Sequence, residues 1–227
     1  MRLHRFYTGN LELEHNFWLR DERLLRQWCK VLRFKPGQEV VLFDSAQHER
    51  IYKIDELTDT SAHLSMVTQL EPKLPKREVY LFWSLLKKDK NDWVLQKCTE
   101  LGVSHFVPLL ADRSEKTGFN LERAEKIVIE AVEQCGRSDI PRVRDPITVA
   151  TALKEFKDKI TLYICEQDSS GEQSDNKSVC GVLIGPEGGW SDAEKSAFED
   201  VDVTRIGLND FTLRAETACV LAVSTVL

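Results

Sequence analysis

An apolar run, Val182-Leu183-Ile184, opens directly into Gly185-Pro186-Glu187-Gly188-Gly189, and Ser191 and Glu194 follow at the spacing of a capping box. Strand, glycine loop and helix start is the arrangement by which backbone approaches a ligand closely and offers it free N–H donors. The loop is not GxGxxG, and no GxxxxGK[ST] occurs, so the usual phosphate loops are absent. A second segment, Gly207 to Ala218, brings Arg214 and Glu216 to the point where an irregular stretch enters an apolar helix. A guanidinium there suits a carbonyl edge or a phosphate, and a carboxylate can take a proton. Each segment alone also has a plain reading: a tight turn for the glycines, and a helix-face pair with its acid near the positive dipole end for Arg214 and Glu216. Two amphipathic stretches, 88–103 and 130–141, hold Lys90, Gln96, Glu100, Gln134 and Arg137, each of which reads individually as a solvated face.

The elements that must position these groups change character near residue 71. Before it, VVLFD (40–44), RIYKID (50–55) and SAHLSMV (61–67) alternate as half-buried strands do, after an N-terminal strand and a helix over 21–33. Asp21 is the expected N-cap of that helix, and Leu24, Leu25, Trp28, Val31 and Leu32 are its apolar stripe. EPKLPKRE (71–78) is the expected linker. Beyond it strands are expected over 79–86, 105–110, 161–166 and 179–185, with a short one ending at 205–207. Helices are expected over 89–102, stopped by Gly102, over 121–135, from Ser191, and over 214–227. Such alternation predicts an α/β fold with a mostly parallel sheet covered on both faces. DSSGEQSDNKS (168–178) reads as a mobile loop.

Composition narrows the class. The chain has 227 residues, 42% of them hydrophobic and 30% charged, which is globular. No stretch approaches the ~20 apolar residues of a membrane span, and MRLHRFYTGN lacks the core of a signal peptide, so a cytoplasmic protein without membrane partners is expected. Six cysteines form no CxxC pair and the histidines no metal spacing, so no metal is expected and the thiols read as small core groups. The net charge is −6, yet residues 1–35 hold eight basic residues against four acidic ones. Phosphate binding follows local potential, so RNA remains a possible partner.

Taken together, LHRFY, KVLRFKPGQEVVLFD, LQKCTELGV, EQCGR, VLIGPEGGWSDAE and LRAETA resemble, in order and spacing and over essentially the whole chain, the RsmE family of SPOUT-superfamily RNA methyltransferases. The resemblance implies a small PUA-like β-barrel domain (1–72) for RNA, followed by a SPOUT-type parallel-sheet domain (73–227) tied in a trefoil knot. It implies S-adenosylmethionine as cofactor, a homodimer, and N3 of a uridine in small-subunit (16S) ribosomal RNA, naked or in the assembled 30S subunit, as target. The cofactor loops carried over are Leu162 to Glu166, Ile184 to Gly189 (with Pro186, Glu187 and Gly188), and Ile206, Leu208 and Leu213. Arg214, Glu216 and Glu187 are the expected catalytic groups: Arg214 as a cation beside O2 or O4, and one carboxylate as base for the N3 proton. The expected RNA-binding cations are Arg2, Arg5, Arg20, Arg23, Arg26, Lys30, Arg33, Lys88, Lys90 and Arg137. Three positions depart from the family pattern: Asn209 stands for a glycine, Phe211 for an arginine and Gln27 for a histidine. Asn tolerates left-handed backbone, so the turn at Asn209 is expected to survive. Two other readings stay open on sequence: an RNA-binding protein that keeps the fold without the reaction, and an α/β enzyme using the GPEGG loop for a nucleotide.

Overall fold

The computed structural model describes residues 3–115, 118–166 and 178–227; Arg2, residues 168–177 of the polar loop and the Lys88 side chain lie outside that description. The chain forms two compact units, Met1–Leu74 with Val132–Ile140, and Pro75–Ala131 with Pro141–Leu227.

In the first unit, β1 (Arg5–Tyr7), β2 (Asn16–Leu19), β3 (Glu39–Phe43), β4 (Glu49–Leu57) and β5 (Ala62–Leu70) make one sheet in the order β1-β3-β4-β5-β2. β1 runs parallel to β3, and the other pairs are antiparallel. Alternation puts Tyr52, Ile54, Ala62 and Leu64 on the inner face, where Leu24, Leu25 and Trp28 complete the core. Asp21 caps helix α1 (Glu22–Arg26), accepting from the Leu24 N–H at 2.9 Å. The expected helix to residue 33 changes halfway: Gln27–Leu32 is a π turn, ending at a left-handed Arg33 (φ 55) whose N–H reaches the Trp28 carbonyl. The wider turn keeps Trp28 fully buried but carries Val31 off the apolar stripe, to 70% exposure.

The end of helix α3 (Leu121–Cys135) and the residues after it belong to this unit. Glu133 accepts from the Tyr7 N–H at 2.9 Å, and Ser138 Oγ from the Lys73 N–H at 2.8 Å. Glu49, 3% exposed, takes both terminal nitrogens of the Arg5 guanidinium and the Ser138 hydroxyl.

The second unit holds a parallel sheet in the order β12-β10-β11-β6-β7-β8: Val203–Ile206, Thr161–Cys165, Val179–Ile184, Glu78–Ser84, His105–Leu110 and Arg142–Val143, with β9 (Ile147–Thr148) also beside β7. Its helices are α2 (Lys88–Leu101), the first part of α3, α4 (Val149–Phe156), α5 (Asp192–Glu199) and α6 (Ala215–Val226). Gly102 ends α2 in left-handed backbone (φ 117). α4, which periodicity over 141–160 did not bring out, is capped by Thr148 and buries Val149, Ala152, Leu153 and Phe156. Gly181 lets β11 pack: an added Cβ would lie 2.6 Å from the Phe82 ring. Cys98, Cys180 and Cys219 are fully buried, and burial pushes the Cys165 thiol up to about 12, which fits thiols used as apolar filling.

Candidate active site

β12, β10, β11 and β6 are adjacent and parallel, so their C-terminal ends share one edge of the sheet. The segments leaving that edge are Glu166 after β10, Gly185 to Gly189 after β11, Gly207 to Leu213 after β12, and Leu85 to Lys87 after β6. Open α/β sheets bind ligands outside the carboxyl ends of their strands. Ile184 and Ile206 close that edge from below, buried, with Leu208 and Leu213 half-buried beyond them. Leu162 sits elsewhere: it pairs with Gly181 and Val203 and packs in the core, about 13 Å along the strand from Glu166.

Hydrogen bonds fix the glycine loop at both ends. Pro186 accepts from the Gly189 N–H at 2.8 Å, closing a turn in which Gly189, not Gly188, has left-handed backbone (φ 70). The Gly188 carbonyl accepts from Arg113 at 3.0 Å. The capping box forms in both directions, and Glu194 also accepts from the Asp112 N–H at 3.0 Å while Ser191 donates to the Asp112 carboxylate at 2.5 Å. Asp112 and Arg113 follow β7, and nothing in their sequence neighbourhood marks them.

Charge gathers on Lys90. Its ammonium pairs with Glu187 and lies 3.4 Å from Glu216 Oε2, so one cation from the first turn of α2 joins a carboxylate of the glycine loop to one at the start of α6. The hydrogen bond from Lys90 holds the Glu187 carboxyl below its ordinary value, with Lys87 and Arg214 adding smaller effects in the same direction. Buried Asn91 aims this turn: its Oδ1 accepts from the Trp83 indole at 3.0 Å and the Leu86 N–H at 3.1 Å, and its Nδ2 donates to the Leu86 carbonyl at 2.7 Å. Arg214, exposed, occupies the N-cap of α6. Glu166 is held by Arg205 at 3.2 Å. Asn209 has ordinary negative φ; its side chain makes the turn instead, accepting from the Phe211 N–H at 2.9 Å, and Phe211 stands 78% exposed.

The basic residues separate by environment. Arg20, Arg23, Arg26, Lys30 and Arg33 are exposed. Arg5 and Arg137 are not open cations: Arg5 is spent on Glu49 and the Arg137 carbonyl, and Arg137, 7% exposed, pairs with Asp139 at 2.6 Å. Lys90 belongs to the carboxylate pair. Among the described residues no group of His, Cys, Asp and Glu could hold a metal, and no helix is long and apolar enough to cross a membrane.

The chain thus holds a five-stranded sheet with a short helix in one unit and a parallel α/β sheet with its loops at the carboxyl strand ends in the other. The RNA methyltransferase domain model matches residues 72–227, and the RNA methyltransferase PUA domain model matches residues 29–67. The chain belongs to this family of RNA methyltransferases, with a PUA-like unit and an α/β methyltransferase unit. It is 32% identical to ribosomal RNA small subunit methyltransferase E of Aquifex aeolicus, covering 99% of each chain. It is 29% identical to that of Rickettsia conorii, over 100% of this chain and 96% of the relative. Among solved structures, ribosomal RNA small subunit methyltransferase E from Neisseria gonorrhoeae, bound to S-adenosyl methionine, superposes with a TM-score of 0.88 at 26% identity, covering 98% and 96% of the chains.

Proposed function

We propose that this protein methylates N3 of a uridine in small-subunit (16S) ribosomal RNA, using S-adenosylmethionine. The observation that carries the reading is the convergence of three loops and the Lys90–Glu187–Glu216 cluster at one sheet edge, in a chain alignable end to end with ribosomal RNA small subunit methyltransferases. The edge suits the cofactor. Buried Ile184, Pro186 and Ile206 offer an apolar bed, half-buried Leu208 and Leu213 flank it, and nothing lies within 4 Å of where a Cβ on Gly189 would stand. When bound, the sulfonium supplies an electrophilic methyl group, and alignment is most of what the protein must add.

Uracil N3 carries a proton and is hidden by base pairing, so the target base must leave its stack and lose that proton. Arg214, exposed at the α6 N-cap, presents a planar guanidinium to O2 or O4 as charge develops there. Glu216 is the better candidate base. Glu187 is held in its ionised form by Lys90 and is weakened as a proton acceptor, which suits it to fixing the loop. Residues 1–72 form the RNA-binding domain and 73–227 the methyltransferase domain, and the enzyme works as a cytoplasmic homodimer, without metal or membrane. Light scattering that finds only monomer at micromolar concentration removes the dimer from this reading. The decisive experiment incubates labelled S-adenosylmethionine with small ribosomal subunits and, separately, naked ribosomal RNA, followed by nucleoside mass analysis. 3-Methyluridine is expected; a methyl group on ribose, or none, refutes the reading.

A further inference from the structure

The segments that leave the carboxyl edge of the parallel sheet supply glycines, carboxylates and cations, and one aromatic ring, Phe211. At 78% it is the most exposed large apolar side chain among the described residues. A single exposed apolar residue is ordinary on a protein surface, so exposure alone says little. What distinguishes Phe211 is how it is held. Asn209 Oδ1 accepts from the Phe211 N–H at 2.9 Å, a side-chain turn that fixes the backbone carrying the ring. Leu208 and Leu213, on either side of it in the chain, are half-buried, so the loop is anchored at both ends while the ring stays in solvent. Arg214, exposed at the N-cap of α6, follows within ~11 Å of chain.

A base drawn out of its stack has to be met on its edge and on its face. For the edge, the site offers the Arg214 guanidinium, which suits a carbonyl oxygen. For the face, its segments hold only Phe211. Base–aromatic stacking is worth ~5–140-fold in affinity by alanine substitution. The cofactor already has an apolar bed in Ile184, Pro186 and Ile206, all buried, whereas Phe211 stands open to what arrives from solvent.

We propose that Phe211 is the stacking platform of the target base: its ring takes the face of the extruded uracil while Arg214 takes the O2 or O4 edge. The inference rests on a uridine of RNA being the substrate. Face and edge together set the plane of the base, and with it the direction in which N3 points, which is the alignment an in-line methyl transfer requires.

The test compares the full wild-type chain with Phe211→Ala, Phe211→Leu and Phe211→Tyr. Fluorescence anisotropy follows binding of a single-stranded uridine oligonucleotide, and of an abasic oligonucleotide of the same length, without cofactor. Phe211→Ala should weaken uridine binding ~5-fold or more and leave abasic binding as in wild type. Its salt slope should not change, because no phosphate contact is lost. Phe211→Tyr should keep the affinity and Phe211→Leu should not. With small ribosomal subunits, kcat/KM of Phe211→Ala should fall with uridine binding while S-adenosylmethionine affinity holds. If Phe211→Ala fails to fold, Phe211→Leu, which keeps an apolar side chain there, carries the measurement. Unchanged uridine binding overturns the proposal, as does an equal loss on the abasic strand or full affinity in Phe211→Leu. A parallel loss of S-adenosylmethionine affinity would make the ring part of the cofactor bed, and a dimer turned monomer in light scattering would make it a contact between copies; either result overturns the platform. Binding is read without turnover, so a wild type that shows this pattern but transfers no methyl group sinks the proposed function and leaves the platform standing. Methyl transfer that is alike in all variants sinks the platform alone.

Discussion

Arg5→Ala separates a structural cation from an RNA-binding one. Arg5 is 10% exposed and Glu49 3% exposed; the guanidinium meets both Glu49 oxygens, donates to the Arg137 carbonyl at 3.0 Å and lies 5.0 Å from the Phe43 ring centroid. Truncating Arg5 leaves the Glu49 carboxylate buried with only the Ser138 hydroxyl. Breaking a buried pair from one side costs about 3–5 kcal/mol. For a chain of this length that corresponds to a fall in Tm of roughly 6–20 °C. The assay is thermal melting followed by tryptophan fluorescence, since Trp18 and Trp28 both lie in this unit. The double variant Arg5→Met with Glu49→Leu should recover much of the loss, because apolar groups of similar volume replace such pairs at little cost. Folded Arg5→Ala should bind RNA with an unchanged salt slope. A Tm within about 2 °C of wild type together with a slope flattened by ~0.7 would return Arg5 to the RNA surface.

Gly189→Val should weaken S-adenosylmethionine binding at least tenfold by isothermal titration, because a β-branched residue at φ 70 adds strain of about 1–3 kcal/mol and reshapes the turn; unchanged affinity means the loop is not the cofactor's cradle. Arg214→Lys should lower kcat and kcat/KM together by ~10²–10³-fold in a methyl-transfer assay with little change in cofactor affinity, whereas normal turnover with lost thermal stability would make Arg214 a structural residue. Burial holds the His105 imidazole below its ordinary 6.5, against a smaller opposing pull from Glu78. The unfolded chain thus takes up that proton first on acidification. The contribution of His105 is complete above pH 6.5 and is lost as pH falls through the lower folded value. His105→Gln should flatten the Tm–pH curve in that window, and a curve parallel to wild type would exclude the linkage.

Local signals carried the sequence reading far where the cause is local. The caps at Asp21 and Ser191, the stop at Gly102 and the strand at 105–110 each depend on neighbours within a few residues, and each stands in the structure. α4 was also readable, since Thr148 followed by Val149, Ala152, Leu153 and Phe156 is a capped apolar stripe, but it is short and lies among β-branched residues. What a charge will pair with was not readable. Lys90 reaches carboxylates at 187 and 216, and Arg5 reaches Glu49 and the Arg137 carbonyl, through contacts that only the folded sheet orders create. The π turn was hidden for a related reason: its apolar residues fit an ordinary helix until burial decides which of them faces inward.

The inclusion of Val132–Ile140 in the first unit sets an order of events during synthesis. When Leu74 has been made, the sheet-forming strands exist, but Glu49 lacks Ser138, and the backbone N–H groups of Tyr7 and Lys73 lack Glu133 and Ser138. At translation rates of about 5–20 residues per second, the missing segment follows roughly 3–13 s later. In that interval the half-built module carries a buried-type carboxylate with no second partner. Its last contacts close only after most of the intervening parallel-sheet sequence has left the ribosome. A fragment ending at the linker accordingly lacks contacts that the complete chain supplies to its first unit.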